Sequence, residues 1–427
     1  MKKILIITYY WPPSGGAGVQ RWLKLTKYLA TKNTEIHVIT VYPKCASYMQ
    51  FDDTLINDVN SSLIVHHTKS FEPINWYAKI VGKSKIPTAG FSNVDTNNWK
   101  QKIVNFLRSN LFIPDPRRGW NYFAYKKASQ LIQSLDIPNV ITTSPPHSTQ
   151  LIGLKLKKKF KSALHWIVDF RDPWTDIYYY SLLNHSWFSK TVDAYYEKNV
   201  LEKSDAIITV GSLFKQSFMS KTNRIEEQKI SIITNGYDPD DFQLIQKKKS
   251  SKFIIAYVGT ISDYYQPEVF FTSLSEIMQK YKDIPIQFKL IGIVSECLRY
   301  KIQQLLGDSA IFLDPVSHEQ AIQYMVDSDL LVLITQGDKG TIPGKTFEYL
   351  ASGNRIIGIG KGDSADIISQ CNAGASFDRE EASAIVQFLD NTIQDFINKQ
   401  PIKSNREEIL QWSRAYQAKQ VFDLCIE

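Results

Sequence analysis

"KKILIITYYWPPSGGAGVQRWLKLTKYLATKNTEIHVITVY", Lys2 to Tyr42, decides the architecture. Its opening run is aliphatic without a polar break, the pattern of a strand buried on both faces. "WPPSGGAG" then supplies the prolines and glycines that end a strand in a turn. Beyond it Val19, Trp22, Leu23, Leu25 and Leu29 recur at helical spacing, and "EIHVITVY" is a second strand. Strand, glycine turn, helix and strand make a βαβ unit, and a crossover of that length leaves the two strands parallel. A secretory leader also opens on basic and apolar residues. Here the apolar run meets tyrosines and ends in "WPPSGGAG" with no small-residue cleavage site, so it reads as the first strand.

The same alternation extends along the chain. "NVITTSPPH", "LHWIVDFRD", "AIITVGS" and "ISIITNGY" are further strands. A polar, lysine-rich stretch from Asp238 to Lys252 then shifts the composition and marks a domain boundary. After it the pattern restarts with "FIIAYVGTI" as a strand, "PEVFFTSLSEIMQKY" as a helix and "IQFKLIGIV" as a strand. "HEQAIQYMVDSD", "LLVLITQG", a helix opening at Lys345, and "RIIGIG" follow. The fold class is therefore α/β, with two Rossmann-like domains expected to face each other across a deep cleft. The first spans 1–240 with an insertion at about 48–120, and the second spans 250–405. The last segment, 406–427, reads as one amphipathic helix that packs back on the first domain. Inside the insertion, Trp99, Ile103, Phe106, Leu107 and Leu111 fall near one helix face. That suits either a membrane-surface helix or one packed on its own domain.

A chain of 427 residues is long enough for two or three cores. No apolar run approaches the ~20 residues needed to span a bilayer. The net charge of +7 is unevenly spread: residues 1–240 hold 31 Lys+Arg against 19 Asp+Glu, and the remainder hold 19 against 24. A basic first domain suits an anionic partner (nucleic acid, anionic lipid or a phosphate-bearing substrate), or it is a solvated lysine face that keeps the protein soluble. Cys45, Cys297, Cys371 and Cys425 form no metal-ligand spacing. A reduced, cytoplasmic protein without a metal site is the expectation.

Four stretches could carry chemistry. In "TIPGKTFEYLASGNRIIGIG", Thr341 to Gly360, a glycine turn runs into a helix whose first turn holds Lys345 and Glu348. A helix start favours phosphate oxygens, and a lysine contact at ~4 Å and an effective dielectric of ~20 is worth roughly 4 kcal/mol before desolvation. Glu348, three residues on, can accept hydrogen bonds from a diol such as ribose. A cap and a surface pair would read the same way. "GGAG", with Gly15, Gly16 and Gly18, stands where a phosphate-cradling turn stands, although a tight turn explains it equally well. His147 in "TTSPPHSTQ" lies just past a strand end, where open α/β sheets keep ligands, yet a lone histidine can be structural. In "VDFRDPW", Asp169, Arg171 and Asp172 crowd beside Trp174, and the arginine could simply neutralise either acid.

"PGKTFEYLASGNRII" resembles the donor-binding helix of the retaining GT-B fold glycosyltransferases of family 4. "IITNGYDPDDF" is similar to that family's asparagine–glycine signature, "YVGTI" to the strand opening its nucleotide domain, and "GGAGVQR" to its first loop. "SPPHS" and "DFRDPW" resemble the bacterial surface-polysaccharide branch. The resemblance covers essentially the whole chain in order.

The resemblance implies roles for single residues. Lys345 would contact the donor diphosphate, Glu348 the ribose, and Gly344 and Thr346 would offer backbone groups to the phosphates. Gly259 and Thr260 would lie beneath the sugar, Ser317 in "DPVSH" would hold the base through its backbone, and Gly16 would face the phosphate. His147 and Asp169 would join Lys345 as catalytic groups, with Gly15, Arg171 and Asp172 as acceptor contacts. Two departures stand out. The family's second acid, eight residues before the ribose-binding one, is replaced by Gly340, with Asp338 nearby. The Arg and Lys that usually follow the "VG" strand are missing from "GTISDYYQPE", which leaves phosphate charge to Lys345, the helix end and Arg21.

The implied activity is metal-independent sugar transfer from a nucleoside-diphosphate donor, expected to be a UDP-sugar, with retention at the anomeric carbon. No cofactor beyond that substrate is implied. Implied partners are a lipid-linked or glycan acceptor and an anionic membrane surface, not nucleic acid. Alternatives are a nucleotide-sugar epimerase or a non-catalytic subunit that binds nucleotide or a partner.

Overall fold

The computed structural model of the chain describes residues 2–72, 110–177, 180–335 and 342–426. The chain divides into two compact units, Met1–Thr234 with Gln417–Glu427, and Asn235–Tyr416.

The first unit holds a parallel seven-stranded sheet in the order β3-β2-β1-β4-β5-β6-β7. Its strands are β1 (Lys2–Ile7), β2 (Thr34–Val41), β3 (Ile64–Thr68), β4 (Asn139–Ser144), β5 (His165–Phe170), β6 (Ala206–Thr209) and β7 (Ile230–Ile232). β1 and β4 are buried along almost their whole length, as their unbroken apolar runs require. Helices cover both faces. Helix α1 (Ala17–Leu29) packs Val19, Trp22, Leu23, Leu25 and Leu29 against Ile4, Ile6, Val38 and Ile141. Helices α2 (Asn121–Leu135), α3 (Gln150–Phe160) and α4 (Trp187–Lys203) pack side by side. Trp166 lies against Gly153 of α3 so closely that an added Cβ there would come within 2.2 Å of the indole.

The second unit holds a parallel six-stranded sheet, β10-β9-β8-β11-β12-β13. These are β8 (Phe253–Val258), β9 (Ile286–Ile291), β10 (Ala310–Leu313), β11 (Leu330–Ile334), β12 (Arg355–Ile359) and β13 (Gly374–Phe377). In both sheets the order reverses once, between β1 and β4 and between β8 and β11. Such a switch point opens a crevice at the carboxyl ends of the strands. Helices α5 (His318–Asp327) and α6 (Lys345–Ser352) flank the second switch.

Three features depart from the sequence reading. β3, β10 and β13 are strands that the apolar patterning does not announce. The polar stretch after Asp238 lies with the second unit, where Lys247 Nζ reaches Ser328 O at 2.7 Å and Asp329 at 3.0 Å. The final segment is two helices, α7 (Arg406–Gln411) and α8 (Arg414–Leu424). They part where the Tyr237 backbone bridges in, its N–H donating to Trp412 O and its carbonyl accepting from Arg414 N. The insertion helix read around Trp99 to Phe106 lies outside the described residues. Among the described residues no helix is long and apolar enough to cross a membrane.

Candidate functional site

In the second unit, β8 ends in Gly259 at φ +127, and β9 ends in Gly292 at φ +131. A Cβ on Gly292 would lie 2.3 Å from Gly259 O, so glycine is required where these strand ends meet. Facing them is the first turn of α6. Thr346, Phe347, Tyr349 and Leu350 turn inward, and the Val258 N–H donates to the Tyr349 hydroxyl at 2.9 Å, fixing the helix on β8. That leaves Gly344, Lys345 and Glu348 on the outward side, as their three-residue spacing dictates.

Lys345 Nζ sits 2.6 Å from the Tyr257 hydroxyl, 3.9 Å from the Tyr257 ring centroid and 3.5 Å from Val258 O. A Cβ on Gly259 would stand 3.3 Å from it. Among the described residues no carboxylate lies within ion-pair distance. Burial pushes the ammonium down to about 7, and Glu348 only partly offsets this. Glu348 is itself half-buried, and burial raises its carboxyl while His318, Arg414 and Lys345 pull it down and Asp241 pushes it up. His318 Nε2 lies 3.2 Å from Asp241 Oδ2. This cation without a counter-ion beside a half-buried carboxylate is a place shaped for an anion and a hydroxyl-bearing neighbour.

The remaining second-unit residues divide. Gly344 is exposed, has ordinary helical dihedrals and faces open space, so nothing inside the protein requires glycine there. Thr346 is fully buried with an unpartnered hydroxyl, and its N–H donates to Pro343 O, so the expected offer of that N–H to a phosphate is corrected. Thr260 is exposed, and its carbonyl accepts from the Tyr257 hydroxyl at 2.9 Å. Ser317 is spent on its own helix: its hydroxyl and N–H form a capping box with Gln320, and its carbonyl accepts from Ala321 N. Gly340 and Asp338 lie outside the described residues.

In the first unit, the loop after β1 is held by Gly15 N donating to Gln50 O at 3.0 Å and Asp52 N donating to Pro13 O. Gly16 adopts φ +89 as the residue before α1, and a Cβ there would meet Gln50 Oε1 at 3.1 Å. The positive φ is what favours glycine there, since the end of the Gln50 side chain can shift.

Asp169, expected among the catalytic groups, turns inward and is fully buried. Its oxygens accept from Arg21, from the Trp22 indole at 2.7 Å and from the Thr143 hydroxyl at 2.8 Å. Arg21 is equally buried and also donates to Ile233 and Thr234 carbonyls, so it offers no charge to a phosphate. The partner of Asp169 is thus Arg21, not Arg171. Arg171 donates instead to three carbonyls, of Gly18 at 2.6 Å and of Ser144 and Pro145 at 3.2 Å. Burial raises the Asp172 carboxyl, with Arg171 partly countering.

His147 lies at the end of β4, and Asp115 holds its turn by accepting from Ser148 N at 2.7 Å. Its ring stacks on Trp174 at 5.2 Å, and the Trp174 indole donates to Asp193. Both imidazole nitrogens are buried, and among the described residues neither has a partner. Burial and Arg171 push the ring down to about 3, so it is neutral at physiological pH. A neutral imidazole whose nitrogens are unsatisfied has hydrogen-bonding capacity to spare for a hydroxyl; it cannot carry positive charge to a reacting centre. Among the described residues no His, Cys, Asp or Glu cluster could hold a metal ion.

No protein-family model matches the chain, and no curated protein matches it in sequence. Solved structures do match. A glycosyltransferase from Rickettsia africae is 14% identical with a TM-score of 0.62, covering 99% of this chain and 97% of its own. Anabaena HepE in complex with UDP is 11% identical with a TM-score of 0.62, covering 99% of both chains. The fold is that of the GT-B glycosyltransferases. WaaB, a lipopolysaccharide outer core galactosyltransferase, is 13% identical with a TM-score of 0.57, covering 100% of this chain and 99% of its own. A UDP-N-acetylglucosamine 2-epimerase type from Listeria monocytogenes is among the other matches.

The sequence did not single out Tyr257, the seat of Lys345, or Arg414 near Glu348. Tyr257 reads as one more buried strand residue, and Arg414 lies some sixty-six positions from Glu348 along the chain.

Proposed function

We propose that the chain transfers a sugar from a nucleoside-diphosphate donor, a UDP-sugar, to a hydroxyl of a lipid-linked or polysaccharide acceptor. The transfer retains anomeric configuration and serves bacterial capsule, O-antigen or exopolysaccharide synthesis. The observation that carries this is Lys345: a half-buried ammonium with no carboxylate partner among the described residues, at a helix start beside Gly259. Two phosphates supply the missing counter-charge, and Glu348 accepts from the ribose. HepE has been seen with UDP and UDP-glucose, and WaaB is a galactosyltransferase, which supports this donor class.

The chemistry asks for stabilisation of the departing diphosphate. Lys345 and the positive end of the α6 dipole are in place before charge develops, so this reading needs no metal. The leaving phosphate oxygen takes the acceptor's proton, so no strong base is required. His147 would hydrogen-bond a sugar hydroxyl through its neutral ring, and Asp172 would contact the acceptor. Asp169 has no part in the chemistry.

A thermal-shift panel of nucleoside diphosphates and nucleotide sugars tests the reading. A ligand at 100 times its dissociation constant adds about 2.7 kcal/mol. UDP or a UDP-sugar should raise the unfolding midpoint, and Lys345→Ala should abolish the rise. No shift with any nucleoside diphosphate refutes the donor site. Turnover of the UDP-sugar without acceptor would favour an epimerase, and binding without transfer across acceptors would favour a non-catalytic subunit.

A further inference from the structure

Helix α4 buries polar side chains and exposes aromatic ones. Beside Val200 and Leu201, its inward face carries Ser189, Asp193 and Glu197, each at most 1% exposed. Asp193 accepts from the Trp174 indole at 3.0 Å and the Tyr180 hydroxyl at 2.9 Å, and Glu197 accepts from the Thr175 hydroxyl. Its outward face carries Trp187 at 80% exposure and Phe188 and Tyr195 at 63% each. A helix that only had to be soluble would place these the other way round. The inward acids are explained by the segment they buttress. Apart from the neighbouring Tyr196 ring, 6.1 Å from that of Tyr195, the outward aromatics meet no other ring among the described residues.

The surroundings say what would cover them. Lys190 and Lys198 are exposed on α4 among the aromatic rings, and the adjoining α3 exposes Lys155, Lys158 and Lys159. Across α2, α3 and α4 no acid is exposed: Asp193 and Glu197 are buried, and the Glu202 side chain is 11% exposed. This face carries exposed lysines and projecting aromatic rings together with Thr191 and Ala194, and its exposed acids, Asp136 and Asp205, stand only past the helix ends. The lysines and rings complement a layer of anionic headgroups above hydrocarbon. We propose that this outer face of α3 and α4 docks on an anionic lipid surface, with Trp187, Phe188 and Tyr195 at the headgroup boundary and the lysines over the phosphates. Such a surface would bring the chain to the lipid-linked acceptor of the proposed function, and it stands without the sugar-transfer part.

Sedimentation with vesicles of phosphatidylcholine alone, or of phosphatidylcholine mixed with phosphatidylglycerol, tests it on the full chain. Wild type should pellet with the phosphatidylglycerol vesicles and be released by salt. Each basic residue near such a surface strengthens attachment roughly fivefold. Lys158→Glu/Lys190→Glu/Lys198→Glu should therefore weaken binding by well over tenfold, as should Trp187→Ser/Phe188→Ser/Tyr195→Ser. The unfolding midpoints and UDP shifts of both variants report that they fold. Wild type indifferent to phosphatidylglycerol, or either variant binding like wild type, overturns the proposal. So does self-association of wild type, or retention of an RNA oligonucleotide, in place of vesicle binding. Vesicle binding without any nucleotide shift keeps this surface and removes the sugar-transfer reading, and the converse removes only the surface.

Discussion

Lys345→Met separates the energetic cost of the proposed donor site from its use. Burial brings the Lys345 ammonium from 10.5 to about 7 in the folded chain. At about 1.36 kcal/mol per tenfold, holding the cation there costs up to roughly 4–5 kcal/mol. The sign follows from proton counting. Between about pH 7 and 10.5 the unfolded chain holds this proton and the folded chain does not, so stability rises with pH through that window and is lowest below it. Methionine keeps the apolar stem and drops the charge. At pH 6 the variant's second unit should therefore unfold at a higher temperature than wild type. At about 2–4 °C per kcal/mol the upper limit is on the order of 20 °C. Near pH 10 the two midpoints should nearly converge, and UDP should shift only wild type, with an affinity that weakens above about pH 7. Calorimetry of both proteins across that range, with and without UDP, gives the answer. A variant no more stable than wild type at pH 6, or a difference that ignores pH, refutes the claim that this cation is kept under strain for an anion.

Two further outcomes follow from the first unit. Asp169→Asn leaves Arg21 buried without its counter-charge and should cost about 3–5 kcal/mol, read as a fall in the first unit's denaturation midpoint; a midpoint within error of wild type would show that the pair is not structural. His147, neutral and unpartnered, should give the pH–rate profile no inflection near 6.5, and His147→Ala should lower turnover by about 10- to 100-fold while leaving UDP binding unchanged. An inflection near 6.5 that disappears in the variant would mean the imidazole ionises during the reaction.

Central strands were legible because their burial on both faces demands unbroken apolar runs, as in "ILII" of β1 and "FIIAYV" of β8. Edge strands were not. β13 reads "GASF", and Gly374 is there because a Cβ would fall 1.8 Å from Ile356 O, a cross-strand constraint that no local window carries. β3 reads "IVHHT" and is half-solvated, with His37 Nδ1 and His66 Nε2 2.9 Å apart across β2 and β3. The break between α7 and α8 depends on Tyr237, far away in sequence. The candidate site followed the same rule. The spacing of Lys345 and Glu348 was visible in one helical turn. That Asp169 belongs to Arg21, and that Tyr257 seats the lysine, are contacts between distant segments.

Among the described residues the hydrogen bonds of Arg171 go to peptide oxygens, those of Gly18, Ser144 and Pro145. Its hold is therefore blind to which side chains those loops display. Rewriting the loop exteriors to change what the first unit accepts should leave this clasp intact so long as the main-chain path is kept. A one-residue insertion before Gly18 or after Ser144 would unfasten it without touching the arginine.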